Sequence, residues 1–341
     1  MGFVDGGARS SGAAAEVVIG AHQMEDSLVE FDMEGGRLGF SSSVMLHGTM
    51  CANFNFTTND RLVSPEARLA AGKPPGFPAV LAFGDSSVDT GNNNYIATPF
   101  RGDHPPYGRD FPGRVPTGRF SNGRLVPDIL ASLTGLKETV PPFLSPNLSD
   151  YEIATGVSFA SAGSGLDDLT TSISGVIPVS RQPGYFQDYA IRLEGVLGKR
   201  EARKVLEGAL VVVSAGTNDF ILNFYDFPTR RVRFSADKYQ DFLQMKLREF
   251  VKELYILGCR KMVVSGLPPI GCLPIQMTVK SPILRACSHR ENADAKSYNE
   301  KLMKLLPRME NELPGSKILY VDVYNPLMDI INNPEKYGKY M

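Results

Sequence analysis

Short apolar runs alternate with longer amphipathic stretches through most of this chain, from Phe77 onward. The runs that have the length and composition of buried strands are Ala79–Ala82, Leu210–Ser214, Lys261–Ser265 and Lys317–Val323. Strands that alternate with helices in this way form a parallel sheet with helices on both of its faces. The pattern therefore predicts an α/β domain built on a central parallel sheet.

Helices are predicted in four of the intervening segments. Residues Tyr239–Leu257 show the clearest pattern, because their apolar side chains recur on or near one stripe of a helix. The other three predicted helices are Arg124–Leu133, Tyr185–Leu206 and Glu291–Glu312. We expect the last of these to break near Pro307. A further short strand is expected to lead into Ser158.

Composition excludes several classes of function. The 341 residues are 43% hydrophobic and 21% charged, with a formal net charge of -1, which fits a globular protein. That charge gives neither the basic footprint of a nucleic-acid-binding protein nor a polybasic membrane patch. No apolar run is long enough to span a membrane.

The four cysteines show no Cys-x-x-Cys or Cys/His metal spacing. They are Cys51, Cys259, Cys272 and Cys287. Cys272 and Cys287 either bridge the loop between them or remain free buried thiols, and the sequence leaves both alternatives open.

The first 58 residues differ in character from the rest. Their alternating stretches, such as Leu28–Met33 and Arg37–Phe40, suggest antiparallel strands. Residues 17–58, from VVIGAHQ to FNFTT, resemble the extreme C-terminus of plant aspartic proteases of the nepenthesin type. A piece of a two-lobed β protein cannot bury its own apolar faces, so we expect residues 1–58 to be poorly ordered. Residues 59–76, rich in Ala, Gly and Pro at their end, are predicted to be a linker.

A polar turn follows the first predicted strand and contains Ser86. A serine at the carboxyl edge of a parallel strand is where an open α/β sheet places its chemistry, although an isolated serine there is also a common helix cap. Residues 83–94, FGDSSVDTGNNN, resemble block I of the plant GDSL esterase/lipases, which are SGNH hydrolases. The resemblance implies that Ser86 is the catalytic nucleophile.

Two further segments resemble conserved blocks of the same family. Residues 156–165 are similar to block II, which implies that the backbone N–H of Gly163 donates to the oxyanion. Residues 215–219 are similar to block III, which implies the same role for the side-chain amide of Asn218. With the N–H of Ser86 they would form the oxyanion hole. A glycine-rich turn and an ordinary Asn-Asp turn are the structural alternatives.

The family's general base comes from a block V element, Asp-x-x-His. The histidines of these 341 residues are His22, His47, His104 and His289, and none has an aspartate three positions before it. A solvated loop is the simpler interpretation for His104 and a helix cap for His289. We therefore expect the catalytic Asp-His pair to be absent from these residues and ester hydrolysis to be strongly impaired.

The resemblance implies a three-layer α/β/α, flavodoxin-like SGNH-hydrolase domain over residues 77–341, incomplete at its C-terminal end. It also implies hydrolysis of a small-molecule or lipid ester through an acyl-enzyme, without a metal or organic cofactor. Relatives usually enter the secretory route, although residues 1–21 lack the pattern of a signal peptide. The alternatives are a non-catalytic ester- or lipid-binding protein and a misjoined chimera that does not fold stably.

Overall fold

The computed structural model describes four short strands near the N-terminus and residues 76–337, except residues 173 and 228. The N-terminal strands pair antiparallel in sequence order and are β1 (Phe3–Asp5), β2 (Val17–Ala21), β3 (Ser27–Asp32) and β4 (Arg37–Phe40). The pairing of β3 with β4 confirms the antiparallel strands predicted there. The predicted disorder of residues 1–58 and the predicted linker at residues 59–76 fall almost entirely outside the described residues.

A second sheet forms the centre of the larger part of the chain. Its strands are parallel, lie in sequence order and are β5 (Val80–Gly84), β6 (Leu210–Ser214), β7 (Lys261–Ser265) and β8 (Lys317–Val321). Gly84 pairs with Ser214, and Ser265 with Val321. The four strands therefore end at one common edge, which confirms the predicted parallel sheet.

Helices cover both faces of this sheet. They are α1 (Val126–Leu133), α2 (Asp150–Thr155), α3 (Gln182–Leu197), α4 (Lys199–Gly208), α5 (Ala236–Ile256), α6 (Pro274–Lys280), α7 (His289–Glu312) and α8 (Tyr324–Asn332). Alternate strand residues point to opposite faces. Leu81 and Phe83 pack with side chains of α3, α5 and α7, whereas Val80 and Ala82 pack with α1. The fold is thus the expected three-layer α/β/α arrangement.

The larger core is rich in aromatic side chains. Phe83 stacks on Phe159 at a ring-centroid distance of 4.8 Å and meets Phe186 edge-on at 5.5 Å. Such pairs add about 0.5–1.5 kcal/mol each beyond the area that they bury. Because Phe83 immediately precedes Gly84, this packing fixes the end of β5.

Three predicted elements differ from the structure. Ser158 forms isolated parallel bridges with Ala82 and Pro142, not a strand, because only a few residues of this segment bond to β5. The helix predicted over Tyr185–Leu206 is two helices, α3 and α4, which meet at Gly198.

The third difference concerns Pro307, which lies inside the continuous helix α7. A proline in a helix interior costs about 3 kcal/mol. Leu302, Leu306 and Met309 are fully buried on the same helix. Burial of each such side chain contributes about 1.5–3 kcal/mol, so packing outweighs the proline and the predicted break does not occur.

Cys272 and Cys287 form a disulfide, which decides between the two alternatives left open by the sequence. Cys259 is a free, buried thiol. Within the described part of the chain, no helix combines the length and the apolar character needed to cross a bilayer.

Candidate active site

Strand β5 ends in a sharp turn at Gly84. Its φ is 130°, and a Cβ atom there would lie 1.8 Å from the carbonyl oxygen of Ser214. Only glycine fits this conformation and this close approach. The next residue, Asp85, donates its N–H to that same carbonyl over 2.9 Å. The turn places Ser86, which is half-buried, just beyond the carboxyl edge of the sheet.

Gln182, the first residue of α3, holds Gly84 with both ends of its side-chain amide. The Gly84 N–H donates to Oε1 over 2.7 Å, and Nε2 donates to the Gly84 carbonyl over 2.8 Å. Gln182 is fully buried. A buried, fully paired amide fixes its partners rigidly, so α3 sets the position of the turn that carries Ser86.

Ser87 anchors the other side of the turn. Its hydroxyl donates to Asp85 Oδ1 over 2.7 Å and lies 2.6 Å from the hydroxyl oxygen of Ser214. Burial raises the pKa of Asp85 to about 6, against the opposing effect of the Ser87 donors. Ser87 therefore links the turn that carries Ser86 to the end of β6.

Asp89 joins the turn to the segment around Gly163. Its Oδ1 accepts from the N–H groups of Gly91 and Asn92, each over 2.8 Å, and its Oδ2 accepts from the N–H of Ala162 over 2.9 Å. The side chain is fully buried, and desolvation raises its pKa to about 6. This carboxylate holds the sequence-predicted blocks I and II together.

Gly163 follows directly after that contact. Its φ is +86°, and a Cβ atom there would lie 3.2 Å from the ring of Phe100. Asn93 bonds to the carbonyls of Ala162 and Phe100 through Nδ2, over 2.9 Å and 2.8 Å. Ser164 donates its hydroxyl to the Gly84 carbonyl over 2.8 Å. The structure thus brings the Gly163 segment against the turn that carries Ser86.

Asn218 lies in the turn after β6, and a π-helix (Asp219–Asp226) begins at the next residue. The Asn218 Nδ2 donates to the carbonyl of Ser164 over 2.8 Å. The π-helices of proteins are rare and frequently occur at functional sites. The predicted residues Ser86, Gly163 and Asn218 therefore belong to three segments that bond to one another at a single edge of the sheet.

Asp219 makes the second connection between these segments. Its carboxylate accepts from the N–H groups of Leu166 and Asp167, both over 2.9 Å, and from the Thr170 hydroxyl over 2.5 Å. Desolvation raises its pKa to about 7 although these donors oppose the shift. Asp167 itself forms a salt bridge with Arg230, with 2.6 Å between Oδ2 and Nε. This ion pair also helps to hold the loop that follows Gly163.

Both described histidines lie on the surface. His104 is exposed, with Nδ1 at 2.9 Å from the Pro105 carbonyl oxygen, and His289 is exposed at the start of α7. The other two, His22 and His47, lie outside the described residues. Across residues 76–337, apart from the two gaps, no group of three or more His, Cys, Asp or Glu is arranged to hold a metal ion.

Comparison with known proteins assigns most of the chain to one group. A family model described as GDSL-like lipase/acylhydrolase matches residues 80–339. The chain belongs to this family. Two Arabidopsis thaliana proteins, each named GDSL esterase/lipase, are 55% identical to it over 286 and 280 residues. These alignments cover 83% and 81% of this chain and 79% and 78% of the relatives.

The N-terminal residues match a different family. A model described as xylanase inhibitor C-terminal matches residues 1–42, and the lipase match begins at residue 80. The lipase family thus accounts for the sheet β5–β8, its helices and all three predicted site residues.

Gln182 and Phe100 were not predicted from the sequence. Gln182 lies 98 residues from its partner Gly84, and a single glutamine at a helix start carries no local signal of such a contact. Phe100 lies in a loop without strand or helix periodicity. Both positions follow only from the packed structure.

Proposed function

We propose that this lipase-family chain is a carboxylic ester hydrolase with Ser86 as its nucleophile. The observation that carries the proposal is the convergence of the Ser86, Gly163 and Asn218 segments at the carboxyl edge of the parallel sheet. Open α/β sheets place their reactive groups at that edge. Membership of the lipase family, and the esterase names of its relatives, support the same reaction.

The proposed reaction begins when the Ser86 oxygen attacks the ester carbonyl carbon and its proton passes to a base. The carbonyl oxygen becomes an oxyanion, which the N–H groups of Ser86 and Gly163 and the amide of Asn218 stabilise. One N–H of that amide binds Ser164, and an amide nitrogen carries two, so the other can face the oxyanion. The alcohol then leaves with a proton, and water releases the acid from Ser86.

This mechanism needs a base for Ser86. The 341 residues contain no Asp-x-x-His element that could supply it. We propose that a polypeptide of this sequence hydrolyses esters at close to the background rate. Loss of one member of a catalytic triad lowers turnover by about four orders of magnitude or more. The proposal concerns this polypeptide, and a chain that carries the Asp-x-x-His element would be active.

The test compares two purified proteins with p-nitrophenyl butyrate as substrate. One is the 341-residue polypeptide, and the other, the extended chain, adds the Asp-x-x-His segment of an Arabidopsis relative. We expect slow turnover by the first and turnover by the second that Ser86→Ala abolishes. Ser87→Ala is the matched control, because it removes the neighbouring hydroxyl and only weakens the turn by about 1 kcal/mol.

Three results would contradict these proposals. Rapid turnover by the 341-residue polypeptide that is lost in Ser86→Ala would show that another group acts as the base. Turnover by the extended chain that survives Ser86→Ala would exclude Ser86 as the nucleophile. Saturable binding of an ester without release of product, in both proteins, would favour the alternative of a non-catalytic ester-binding protein.

We further propose that residues 1–58 are a segment of separate origin, joined by residues 59–76 to the hydrolase domain at 77–341. The two family matches, to residues 1–42 and 80–339, support this division. We also propose a secretory location, as the resemblance implies. The Cys272–Cys287 disulfide supports it, because such bonds persist in oxidising compartments.

A further inference from the structure

The two most exposed large apolar side chains among the described residues, Ile283 and Leu284, are adjacent in the sequence and follow α6. Ile283 is 93% exposed and Leu284 is 81% exposed. Ile275 and Val279 are more than half exposed and, four residues apart on α6, share one face of that helix. Single exposed apolar residues are ordinary, but a contiguous group marks an interaction surface.

The group extends to Phe227 at the end of the π-helix. Gln276 donates to Asp226 Oδ2 over 2.9 Å, and Lys280 contacts Asp226 Oδ1 over 2.9 Å. These bonds place α6 beside Asp226, and the next residue, Phe227, is 53% exposed. We call this set the α6 surface, and its apolar members are Phe227, Ile275, Val279, Ile283 and Leu284.

The α6 surface is joined to the carboxyl edge of the sheet, where the candidate site lies. Residues 266–271 follow the carboxyl end of β7, and the disulfide Cys272–Cys287 then closes the loop that contains α6. A Cβ atom on Gly216, two residues before Asn218, would lie 3.1 Å from Leu267. The loops after β6 and β7 are therefore in contact. The α6 surface and Ser86 both lie beyond the carboxyl edge of the sheet.

The α6 segment carries an excess of positive charge. Between Cys272 and Arg290 the sequence contains Lys280, Arg285 and Arg290 and no aspartate or glutamate. All three side chains are exposed, and because Lys280 is paired with Asp226, Arg285 and Arg290 supply the excess positive charge. Exposed aliphatic side chains with basic residues beside them are the composition of protein segments that lie in the interface of an anionic lipid surface.

We propose that the α6 surface docks the protein on anionic lipid surfaces, with Ile283 and Leu284 inserted among the lipids. A second copy of this chain is a poorer occupant. A twofold interface places the same patch against itself, so the positive charges of Arg285 and Arg290 would lie close to those of the second copy. The inference rests on the proposed function to the extent that the docked lipid presents an ester to Ser86.

Docking is measured apart from hydrolysis. The test is sedimentation of the full 341-residue protein with vesicles of phosphatidylcholine alone or with about 30% phosphatidylserine. We expect binding to the anionic vesicles that weakens in high salt, because exposed charges are screened beyond about 10 Å at 0.1 M salt. The double variant Ile283→Ser, Leu284→Ser should bind anionic vesicles at least about tenfold more weakly, because two apolar side chains are no longer transferred from water into the lipid.

The matched control is Ile256→Ser. Ile256 is 79% exposed at the end of α5, before the amino end of β7 and so at the opposite edge of the sheet. It should bind vesicles as the unchanged protein does. The dependence of vesicle binding on anionic lipid and on salt can be measured with the unchanged protein and needs no variant.

Three results would overturn the proposal. They are failure of the unchanged protein to sediment with anionic vesicles, equal binding by the double variant, and self-association that the double variant abolishes. None of them concerns turnover of soluble p-nitrophenyl butyrate. A failure of docking is therefore distinguishable from a failure of the proposed esterase function.

Discussion

Two buried side chains, Gln182 and Asp219, hold the candidate site through bonds to backbone groups. The Gly84 carbonyl accepts from Gln182, from the N–H of Ser161 and from the Ser164 hydroxyl. The Gly84 N–H has Gln182 Oε1 as its partner. Loss of the Gln182 amide thus leaves a buried donor unpaired, at a cost of about 1–3 kcal/mol.

Replacement of Gln182 should impair turnover as well as stability. In the extended chain, Gln182→Met should lower kcat by about tenfold or more while changing KM little, because the nucleophile is less well positioned. Gln244→Met is the matched control, since Gln244 is also buried and bonds to the Tyr298 carbonyl on α7. Kinetics with p-nitrophenyl butyrate and urea unfolding measure both effects. An equal fall of kcat in the two variants would contradict a positioning role.

The raised pKa of Asp219 should make the stability of the folded protein depend on pH. Its pKa is raised to about 7, so its neutral form is favoured in the folded protein and its contribution to stability is fully present below about pH 4. That contribution is lost as pH rises toward 7. Between pH 5 and pH 8, the free energy of unfolding should fall by roughly 2–3 kcal/mol relative to that of Asp219→Asn.

Urea unfolding of both proteins at the two pH values measures this difference. Asp188→Asn, at an exposed position of α3, controls for the change of net charge. A gap between the unchanged protein and Asp219→Asn that stays constant from pH 5 to pH 8 would show that Asp219 does not titrate in this range.

At the scale of elements, the disulfide that closes the α6 loop has a measurable effect on stability. The two cysteines are 15 residues apart. In the chain-entropy account, closing a loop of that length stabilises the folded state by about 3 kcal/mol. The double variant Cys272→Ser, Cys287→Ser should lower the free energy of unfolding by about that amount. Urea unfolding of the oxidised protein and the variant tests this, and equal midpoints would contradict it.

The elements divide into those that the sequence predicts and those that depend on packing. Strands β5–β8 were predictable, because each is a short apolar run between helical segments. The structure of the Ser158 segment was not predictable. Only a few of its residues bond to Ala82 and Gly84 of β5, so it does not form a strand. Pro307 misled the prediction because local propensity is weaker than the burial of Leu306 and Met309.

The candidate site divides in the same way. Ser86, Gly163 and Asn218 were predicted through motifs that resemble one family, and the structure brings their segments together. The Gln182 contact joins residues 98 positions apart and leaves no local pattern. Residues that react are concentrated in short motifs, whereas residues that hold them are placed by the tertiary fold.

At the scale of the whole molecule, we propose that residues 77–341 fold as a domain independently of the N-terminal segment. Strands β5–β8 and both hydrophobic clusters lie within residues 76–337. A protein that begins at residue 76 should therefore unfold cooperatively in urea. Loss of cooperative unfolding in this shorter protein would contradict the proposed domain boundary.

Covalent capture by a fluorophosphonate shows whether Ser86 is the nucleophile and whether it depends on the Asp-x-x-His element. The extended chain and the 341-residue polypeptide are incubated with a fluorophosphonate, and the modified residue is located by mass spectrometry of peptides. We expect a rapid adduct on Ser86 in the extended chain and a slow one in the 341-residue polypeptide. Equal rates in the two proteins, or an adduct on another serine, would contradict it.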